Sequence, residues 1–318
     1  MLGGIVRNHH RNSRFEEKAG TAMADQRGLE SHYGSAMSTA PVLLPVAEEF
    51  RRNNGMLDLV FVGKGAYKET YKVTTGAGEV RALKLLDPSK CNVARSEREI
   101  NAMRRCNFPL IAKLYEYGTF DSSVGKYQYL LEEFLDGGSL SDRIAHGRLS
   151  PESVRNYGGA LARAIGHMKD LNLVHRDIKP DNIMFRSNDP GPVLVDFGLV
   201  RDLSESSLTQ TWLPQGPGSP YYSAAEQLNN EKSLIGWRTD QFSLGVVLGL
   251  CLTGAHPFTA NSMTMPETVA AVAMRNRCSQ SFREQAKAQG LDNLIRMLEP
   301  WPILRYPSPQ EMIESFAL

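Results

Sequence analysis

The sequence predicts an α+β protein in which a small antiparallel sheet precedes a larger, mainly helical part. Three short segments between residues 56 and 86 alternate apolar and polar side chains, and short glycine-containing links join them. This pattern is typical of a sheet meander. After Gly137 and Gly138 the chain becomes mainly helical, and Ser150-Pro151 is a good helix start because Ser caps the helix and Pro fits its first turn.

The individual elements follow this division. Strands are predicted at Met56–Val62, Glu69–Thr74, Val80–Leu86, Leu114–Tyr117 and Tyr127–Phe134, with one helix at Arg95–Arg105. The second half is predicted to contain a helix from Pro151 towards Leu171, a strand pair at Ile183–Phe185 and Val193–Val195, and a buried helix around Phe242–Leu252. Residues 46–318 should form the folded domain, with its first half at about 56–135 and its second at about 136–318.

Residues 1–45 differ in composition from the rest and show no apolar period. They are predicted to form a disordered or regulatory tail. One interpretation is a dispensable extension, with Met23 as the true start. The other is an arm for targeting, secretion or regulation, and the residues favour neither.

Composition excludes several classes of protein. The chain of 318 residues has 36 Lys and Arg against 35 Asp and Glu, so no global charge indicates a nucleic-acid partner. Four scattered cysteines predict free thiols rather than disulfides or a metal site. The longest apolar run is shorter than the about 20 residues that span a bilayer. We therefore expect no membrane span and a cytoplasmic protein, unless the tail directs it elsewhere.

The segment Leu173–Asn182 concentrates the chemistry. Lys179 follows Asp177 by two residues and Asn182 follows it by five, and Asp196-Phe197-Gly198 comes shortly afterwards. Such a set can place a base, a cation and two metal ligands together. Phosphoryl transfer needs these groups, because it depends on an oriented nucleophile and on positive charge over the phosphates.

This segment resembles the catalytic loop of the protein kinases, H-R-D-x-K-x-x-N, and Asp196-Phe197-Gly198 resembles their metal-binding D-F-G. The resemblance covers roughly residues 56–316. It implies a bilobal protein-kinase-like fold, with an antiparallel N-lobe sheet, one main N-lobe helix and a larger helical C-lobe. It also implies that Asp177 orients the substrate hydroxyl, that Lys179 neutralises the γ-phosphate, and that Asn182 and Asp196 bind the Mg²⁺ or Mn²⁺ that accompanies ATP.

The same resemblance implies a nucleotide site in the first half. Lys84 would hold the α- and β-phosphates and pair with Glu99, for which Glu97 is the alternative. The other residues implied to bind nucleotide are the glycine turn, the residues that contact adenine from above and below, and the hinge: Gly63, Lys64, Gly65, Ala82, Met184, Glu133 and Leu135.

Four residues depart from the family pattern: Lys68, Thr70, Glu132 and Ala225. The two charged ones bear on the nucleotide site. Lys68 replaces the third glycine of the glycine-rich loop. Lys68 could add a phosphate contact. In the with-no-lysine kinases a lysine at this loop position takes over from a missing strand lysine, but Lys84 is present here, so we expect Lys68 to be solvated or auxiliary. Glu132 occupies a position that is usually apolar, where a buried carboxylate is costly. Either Glu132 has a partner such as Lys84, or the alignment is one residue off.

Further matches lie in the second half. Arg176 precedes the catalytic Asp and implies an activation loop that receives phosphate, for which Thr209 and Thr211 are the candidate sites. Ser219 lies in the loop implied to receive the substrate. Arg176 and three further residues are implied to be structural: Glu226 pairs with Arg305, and Asp240 anchors the catalytic loop.

Taken together, the resemblance implies an ATP-dependent kinase of protein Ser and Thr side chains, able to phosphorylate itself and similar to bacterial members of the family. Its partners would be protein substrates. A pseudokinase that acts as a nucleotide-binding scaffold or allosteric partner is the alternative, supported by the incomplete glycine loop, Glu132 and Ala225. A small-molecule kinase of the same fold ranks lower, because such enzymes usually lack the motif around Ser219.

Overall fold

A computed structural model describes residues 41–65, 67–90, 93–198, 200–203, 219–260 and 263–317. Residues from Val42 onward form one compact unit. Within it, a sheet-rich N-terminal lobe precedes a helical C-terminal lobe, as the sequence predicts.

Five strands of the N-terminal lobe form one antiparallel sheet in the spatial order β1-β2-β3-β5-β4. Their bounds are β1 Asp58–Lys64, β2 Lys68–Thr74, β3 Val80–Leu86, β4 Leu114–Ser122 and β5 Gly125–Glu133. A helix at Val93–Arg105, here called α2, connects β3 to β4. All six elements are confirmed at the predicted places, because their alternating or helical apolar patterns are strong local signals.

A helix that the sequence did not predict, α1 (Leu44–Asn53), packs on one face of this sheet. Val46, Ala47 and Phe50 are buried on its inner side in a cluster with sheet residues such as Tyr71. The Glu69 carboxylate accepts hydrogen bonds from the backbone N–H groups of Val42 and Leu43, at 2.8 and 2.9 Å. These donors stand at the helix start, where backbone N–H groups lack intrahelical partners. Helix α1 therefore belongs to the compact unit that includes the sheet.

The C-terminal lobe is built around two long helices that pack against each other, α4 and α6. Its elements are α3 Leu140–Ala145, α4 Pro151–Asp170, β6 Leu173–Val174, β7 Ile183–Arg186, β8 Asp189–Leu194, β9 Arg201–Asp202, α5 Ala225–Leu228, α6 Trp237–Thr253, α7 Met265–Ala273, α8 Gln280–Ala288, α9 Asn293–Met297 and α10 Pro309–Glu314. The side chain of Ser150 caps α4, and Pro151 is its first residue, as predicted. Helix α6 is buried on nearly every side, which confirms the predicted buried helix. Among the described helices, none is long and apolar enough to cross a membrane.

The described cysteines, Cys106, Cys251 and Cys278, are free and buried. Burial raises the pKa of Cys106 and Cys251 to about 12 and that of Cys278 to about 11. A thiol with such a pKa stays protonated at neutral pH and reacts poorly. The expectation of free thiols is confirmed for these three, and Cys91 lies outside the described residues.

His256 links the C-terminal lobe to the segment after Ser219, and its burial predicts acid sensitivity. Burial lowers the pKa of His256 from 6.5 to about 4. Its Nε2 lies 2.8 Å from the carbonyl oxygen of Tyr221, while Nδ1 accepts a hydrogen bond from the Phe258 N–H at 3.2 Å. The folded protein therefore holds a neutral ring, and the unfolded chain binds more protons as the pH falls below 6.5 towards 4.

We expect the titration of His256 to lower the free energy of unfolding of the wild type by about 2 kcal/mol when the pH falls from 7 to 5. The variant His256→Gln lacks this titration, so it should be less stable than wild type at pH 7 and should lose part or all of that deficit at pH 5. Urea unfolding of both proteins at the two pH values measures the difference. An unchanged difference would show that the folded state does not exclude the charged ring.

Candidate active site

The loop that follows β6 is held in place by Asp240, near the start of α6. The Asp240 carboxylate accepts hydrogen bonds from the backbone N–H groups of His175, at 2.7 Å, and Arg176, at 2.8 Å. Arg176 has a φ of 67°, in the left-handed region that non-glycine residues rarely adopt. The side-chain amide of Gln227 donates to the Arg176 carbonyl at 2.9 Å. These contacts hold a strained backbone in a fixed path, and Asp240 contacts the loop as the sequence led us to expect.

Asp177, Lys179 and Asn182 meet within this loop. The amide nitrogen of Asn182 donates to the Asp177 carboxylate at 3.0 Å and to the Asp177 carbonyl at 2.8 Å. Lys179 Nζ lies 3.0 Å from the same carboxylate. Because the Asn182 nitrogen is used in these bonds, its amide oxygen is the atom left for a cation. The loop thus fixes an oriented carboxylate, an ammonium group and a neutral oxygen ligand side by side.

Asp196 is the second acidic residue of the cleft and follows β8. Its φ is 65°, and its Oδ1 accepts a hydrogen bond from the Gly198 N–H at 3.1 Å. Burial would raise the pKa of Asp196, but the ammonium groups of Lys68 and Lys84 outweigh burial and hold that pKa well below its ordinary value. Asp196 is therefore an ionised oxygen ligand at neutral pH, a group that suits a divalent cation.

The ion pairs around α2 differ from those expected. Lys68 Nζ lies 2.8 Å from Glu99 Oε1 and also 2.8 Å from Asp196 Oδ1. Only 7% of the Lys68 side chain is exposed, so the expectation of a solvated Lys68 is wrong. Glu97 is exposed, which leaves Glu99 as the inward-facing carboxylate of α2.

Lys84 instead pairs with Glu132, with Nζ 2.5 Å from Oε2. The expected pairing of Lys84 with Glu99 is therefore wrong. The sheet register explains why: Lys84 lies opposite Leu130, and Ala82 lies opposite Glu132. Residues paired in this way share one face, and diagonal neighbours are within reach of long side chains. Of the two alternatives for Glu132, the structure supports a buried carboxylate with Lys84 as its partner.

Lys68 reaches the same face of the sheet from β2. Lys68 lies opposite Leu86, and Thr70 lies opposite Lys84, so both lysines point to the cleft side from neighbouring strands. Burial would lower the pKa of Lys68, but the carboxylates of Asp196 and Glu99 raise it well above its ordinary value. Lys68 is therefore a permanent cation at the centre of the cleft. The sequence signals that pointed to this arrangement were the lysine in place of the third glycine and the acidic residue at position 132.

The glycine turn connects β1 to β2 at the edge of the cleft. Gly65 donates its N–H to the Lys68 carbonyl at 2.8 Å, which closes the turn. Lys64 Nζ lies 3.3 Å from Glu69 Oε1, and Glu69 caps α1 on the opposite face of the sheet. The Lys64 side chain therefore points away from the cleft, and only its backbone can serve the predicted nucleotide role.

The predicted adenine contacts surround a small apolar cluster between the lobes. Leu135 is buried with Ala112, Val193 and Val195, and Met184 packs against them. Ala82, on the cleft face of β3, is also buried. Within the described part of the chain, the Leu135 backbone N–H and C=O make no hydrogen bond, so both are free to meet a ligand.

The other predicted hinge residue, Glu133, uses its side chain structurally. Its carboxylate pairs with the Arg186 guanidinium at 2.6 and 3.0 Å, which connects β5 to β7 across the hinge. Its backbone N–H donates to the Lys113 carbonyl at 2.8 Å. Glu133 therefore fixes the hinge relative to the C-terminal lobe, and its carbonyl oxygen is the atom that the sequence assigned to adenine.

A second buried ion pair lies deep in the C-terminal lobe. Arg305 contacts both carboxylate oxygens of Glu226, at 2.7 and 3.1 Å, and both side chains are completely buried. The arginine also donates to the carbonyls of Glu299, Arg238 and Pro300. The expected pair is thus present and fully hydrogen-bonded. Ser219 begins the segment that leads to Glu226, whereas Thr209 and Thr211 lie outside the described residues.

Known proteins have amino-acid sequences similar to that of this chain. A family model described as the protein kinase domain matches residues 58–315. The chain is similar to the CBL-interacting serine/threonine-protein kinase 26 of Arabidopsis thaliana, with 32% identity over 263 residues that cover 80% of this chain and 57% of the relative. It is also similar to the serine/threonine-protein kinase PknD of Mycobacterium tuberculosis, with 32% identity over 212 residues, 64% of this chain and 30% of the relative.

The chain spans about half the length of the first of these relatives and less of the second. The matched region contains both lobes and every described residue of the cleft. A five-stranded antiparallel sheet, a helical second lobe and the family match agree on the fold. This chain belongs to the protein kinase family.

Proposed function

We propose that this protein is an ATP-dependent kinase that transfers the γ-phosphate to Ser and Thr hydroxyls of proteins, itself included. The observation that carries the proposal is the convergence of Asp177, Asn182 and Asp196 in one cleft. The Lys179 ammonium group contacts Asp177, and the buried Lys68 ammonium group contacts Asp196. Phosphoryl transfer requires little more than such positioning and electrostatic stabilisation.

The chemistry of the donor set fits a nucleotide with Mg²⁺. When bound, ATP with Mg²⁺ supplies the transferable phosphoryl group and a cation that offsets its charge. The ionised carboxylate of Asp196 and the amide oxygen of Asn182 would hold that cation, since Mg²⁺ prefers oxygen ligands. The free backbone groups of Leu135 and the apolar cluster around it would bind the adenine ring.

On the substrate side, Asp177 would orient the attacking hydroxyl and accept its proton. Lys179, which lies 3.0 Å from the Asp177 carboxylate, would place positive charge beside the phosphoryl group in transit. The choice of Ser and Thr rests on the resemblance carried by Lys179 and Ser219, and on relatives whose names include serine/threonine-protein kinase.

The intact cleft disfavours the alternative of a pseudokinase scaffold. Such a protein would need no aligned proton acceptor and no pair of oxygen ligands. Asp177 is nevertheless held by two neighbours, and Asp196 is kept ionised by buried cations.

Mass spectrometry after incubation with ATP and Mg²⁺ tests the proposal. The protein, alone and with a generic basic protein, should gain phosphate on Ser and Thr, and Thr209 and Thr211 are the self-modification sites that we expect first. Phosphate mainly on Tyr would contradict the proposed residue class. No transfer with either Mg²⁺ or Mn²⁺, under conditions in which nucleotide binds, would support the scaffold instead.

A further inference from the structure

The geometry points to Lys68, and not Lys84, as the residue that holds the nucleotide phosphates, with Lys84 kept from them by Glu132. This inference deepens the proposed function and depends on it, because it concerns the nucleotide of the same reaction. It reverses the assignment expected from the strand motif around Lys84.

Lys68 occupies the place where the phosphates must come. Its ammonium group contacts Asp196, the proposed cation ligand, and Glu99 of α2, both at 2.8 Å. A cation held by Asp196 would accompany the phosphates, and the ammonium group in direct contact with Asp196 is that of Lys68. The two carboxylates fix Lys68 from both sides, and its remaining proton is free to donate to a phosphate oxygen.

Lys84 is engaged elsewhere. Its ammonium group lies 2.5 Å from Glu132, and only 2% of the Glu132 side chain is exposed. The second carboxylate oxygen of Glu132 is buried and has no hydrogen-bond partner among the described residues. If Lys84 moved to the phosphates, Glu132 would be left as an unpaired buried charge, which is strongly unfavourable. Glu132 therefore retains Lys84 at the back of the cleft.

Lys68 and Lys84 lie at different positions, but each is buried and paired with a buried glutamate. Equivalent double substitutions can therefore be made at the two positions and compared. The double variant Lys68→Met, Glu99→Gln removes one cation and one anion from the cleft. The double variant Lys84→Met, Glu132→Gln also removes one cation and one anion, but from the neighbouring ion pair on the sheet. The net charge is equal in both, so a difference between them reports position and not total charge.

The measurement is the ratio of two affinities, determined by calorimetry. One ligand is the β,γ-imido analogue of ATP with Mg²⁺, which is not hydrolysed, and the other is adenosine, which has no phosphates. The ratio isolates the phosphate contacts, since changes in folding or in adenine binding affect both ligands. We expect the Lys68 variant to lose at least about ten-fold of this ratio, the effect of one charge-assisted hydrogen bond. The Lys84 variant should lose clearly less of the ratio, about three-fold at most, because the ammonium group in contact with Asp196 is that of Lys68.

The inference is overturned if the ratio stays unchanged in the Lys68 variant, or if it falls as far in the Lys84 variant. A wild type that binds the analogue no better than adenosine contradicts both this inference and the proposed function. A wild type that prefers the analogue but transfers no phosphate from ATP contradicts the proposed function only, and the comparison of the two variants still decides the lysine assignment.

Discussion

Replacing Asp177 with Asn is expected to lower phosphate transfer by about 10²–10⁴-fold while nucleotide affinity stays near that of wild type. The carboxylate is the proton acceptor of the proposed reaction and lies 3.0 Å from both Asn182 and Lys179. Asparagine keeps the shape of the side chain but cannot accept the proton of a hydroxyl as a carboxylate does. Because the nucleotide contacts lie on other residues, binding should survive.

A matched control lies on the same loop. Asp181→Asn is the same chemical change at an exposed position, so it should leave transfer within a few-fold of wild type. Transfer is measured with labelled ATP at saturating protein substrate, and binding is measured with the imido analogue. Near wild-type turnover of Asp177→Asn would remove Asp177 from the role of proton acceptor, and equal losses in both variants would point to damage of the loop.

Much of the fold and the catalytic loop could be predicted because their signals are local. Alternating apolar and polar side chains indicate β1 to β5, and the residues from Asp177 to Asn182 lie within six consecutive positions. Side chains this close in sequence can meet within one short loop, which Asp240 then holds in place. The same holds for Asp196, which follows directly after a predicted strand.

The ion pairs of the cleft could not be predicted in this way. Three carboxylates, Glu99, Glu132 and Asp196, compete for the two ammonium groups of Lys68 and Lys84. Which pairs form depends on the register of β2, β3 and β5 and on the position of α2. A sequence motif does not specify the register or the helix position precisely enough to decide which side chains come within hydrogen-bond distance.

Helix α1 was missed for a related reason. Its cap is supplied by Glu69, which lies 26 residues further along the chain than Leu43. The apolar residues that α1 covers belong to the sheet. Taken by itself, the segment before Asn54 contains only one short amphipathic stretch after a proline. The first residues of this stretch fall within the predicted tail.

The substitution Arg305→Met is expected to lower the free energy of unfolding by about 3–5 kcal/mol, the largest effect on stability that we expect from a single change. Methionine is apolar and of comparable length, so it fills much of the space but leaves the Glu226 carboxylate charged and buried. Among the described residues, Thr239 remains as the side-chain donor to that carboxylate, at 3.0 Å. The carbonyls of Glu299, Arg238 and Pro300 each lose a donor as well.

The control is Arg296→Met, which removes an arginine that is 47% exposed and lies 4.0 Å from Glu311. An exposed pair of this kind contributes at most about 1 kcal/mol, so urea unfolding should separate the two variants clearly. The double variant Arg305→Met, Glu226→Met should recover part of the loss, because it removes the stranded charge. It cannot recover all of it, since these carbonyls still lack the donors that Arg305 supplies. If Arg305→Met costs no more than Arg296→Met, the buried pair does not hold this part of the lobe together.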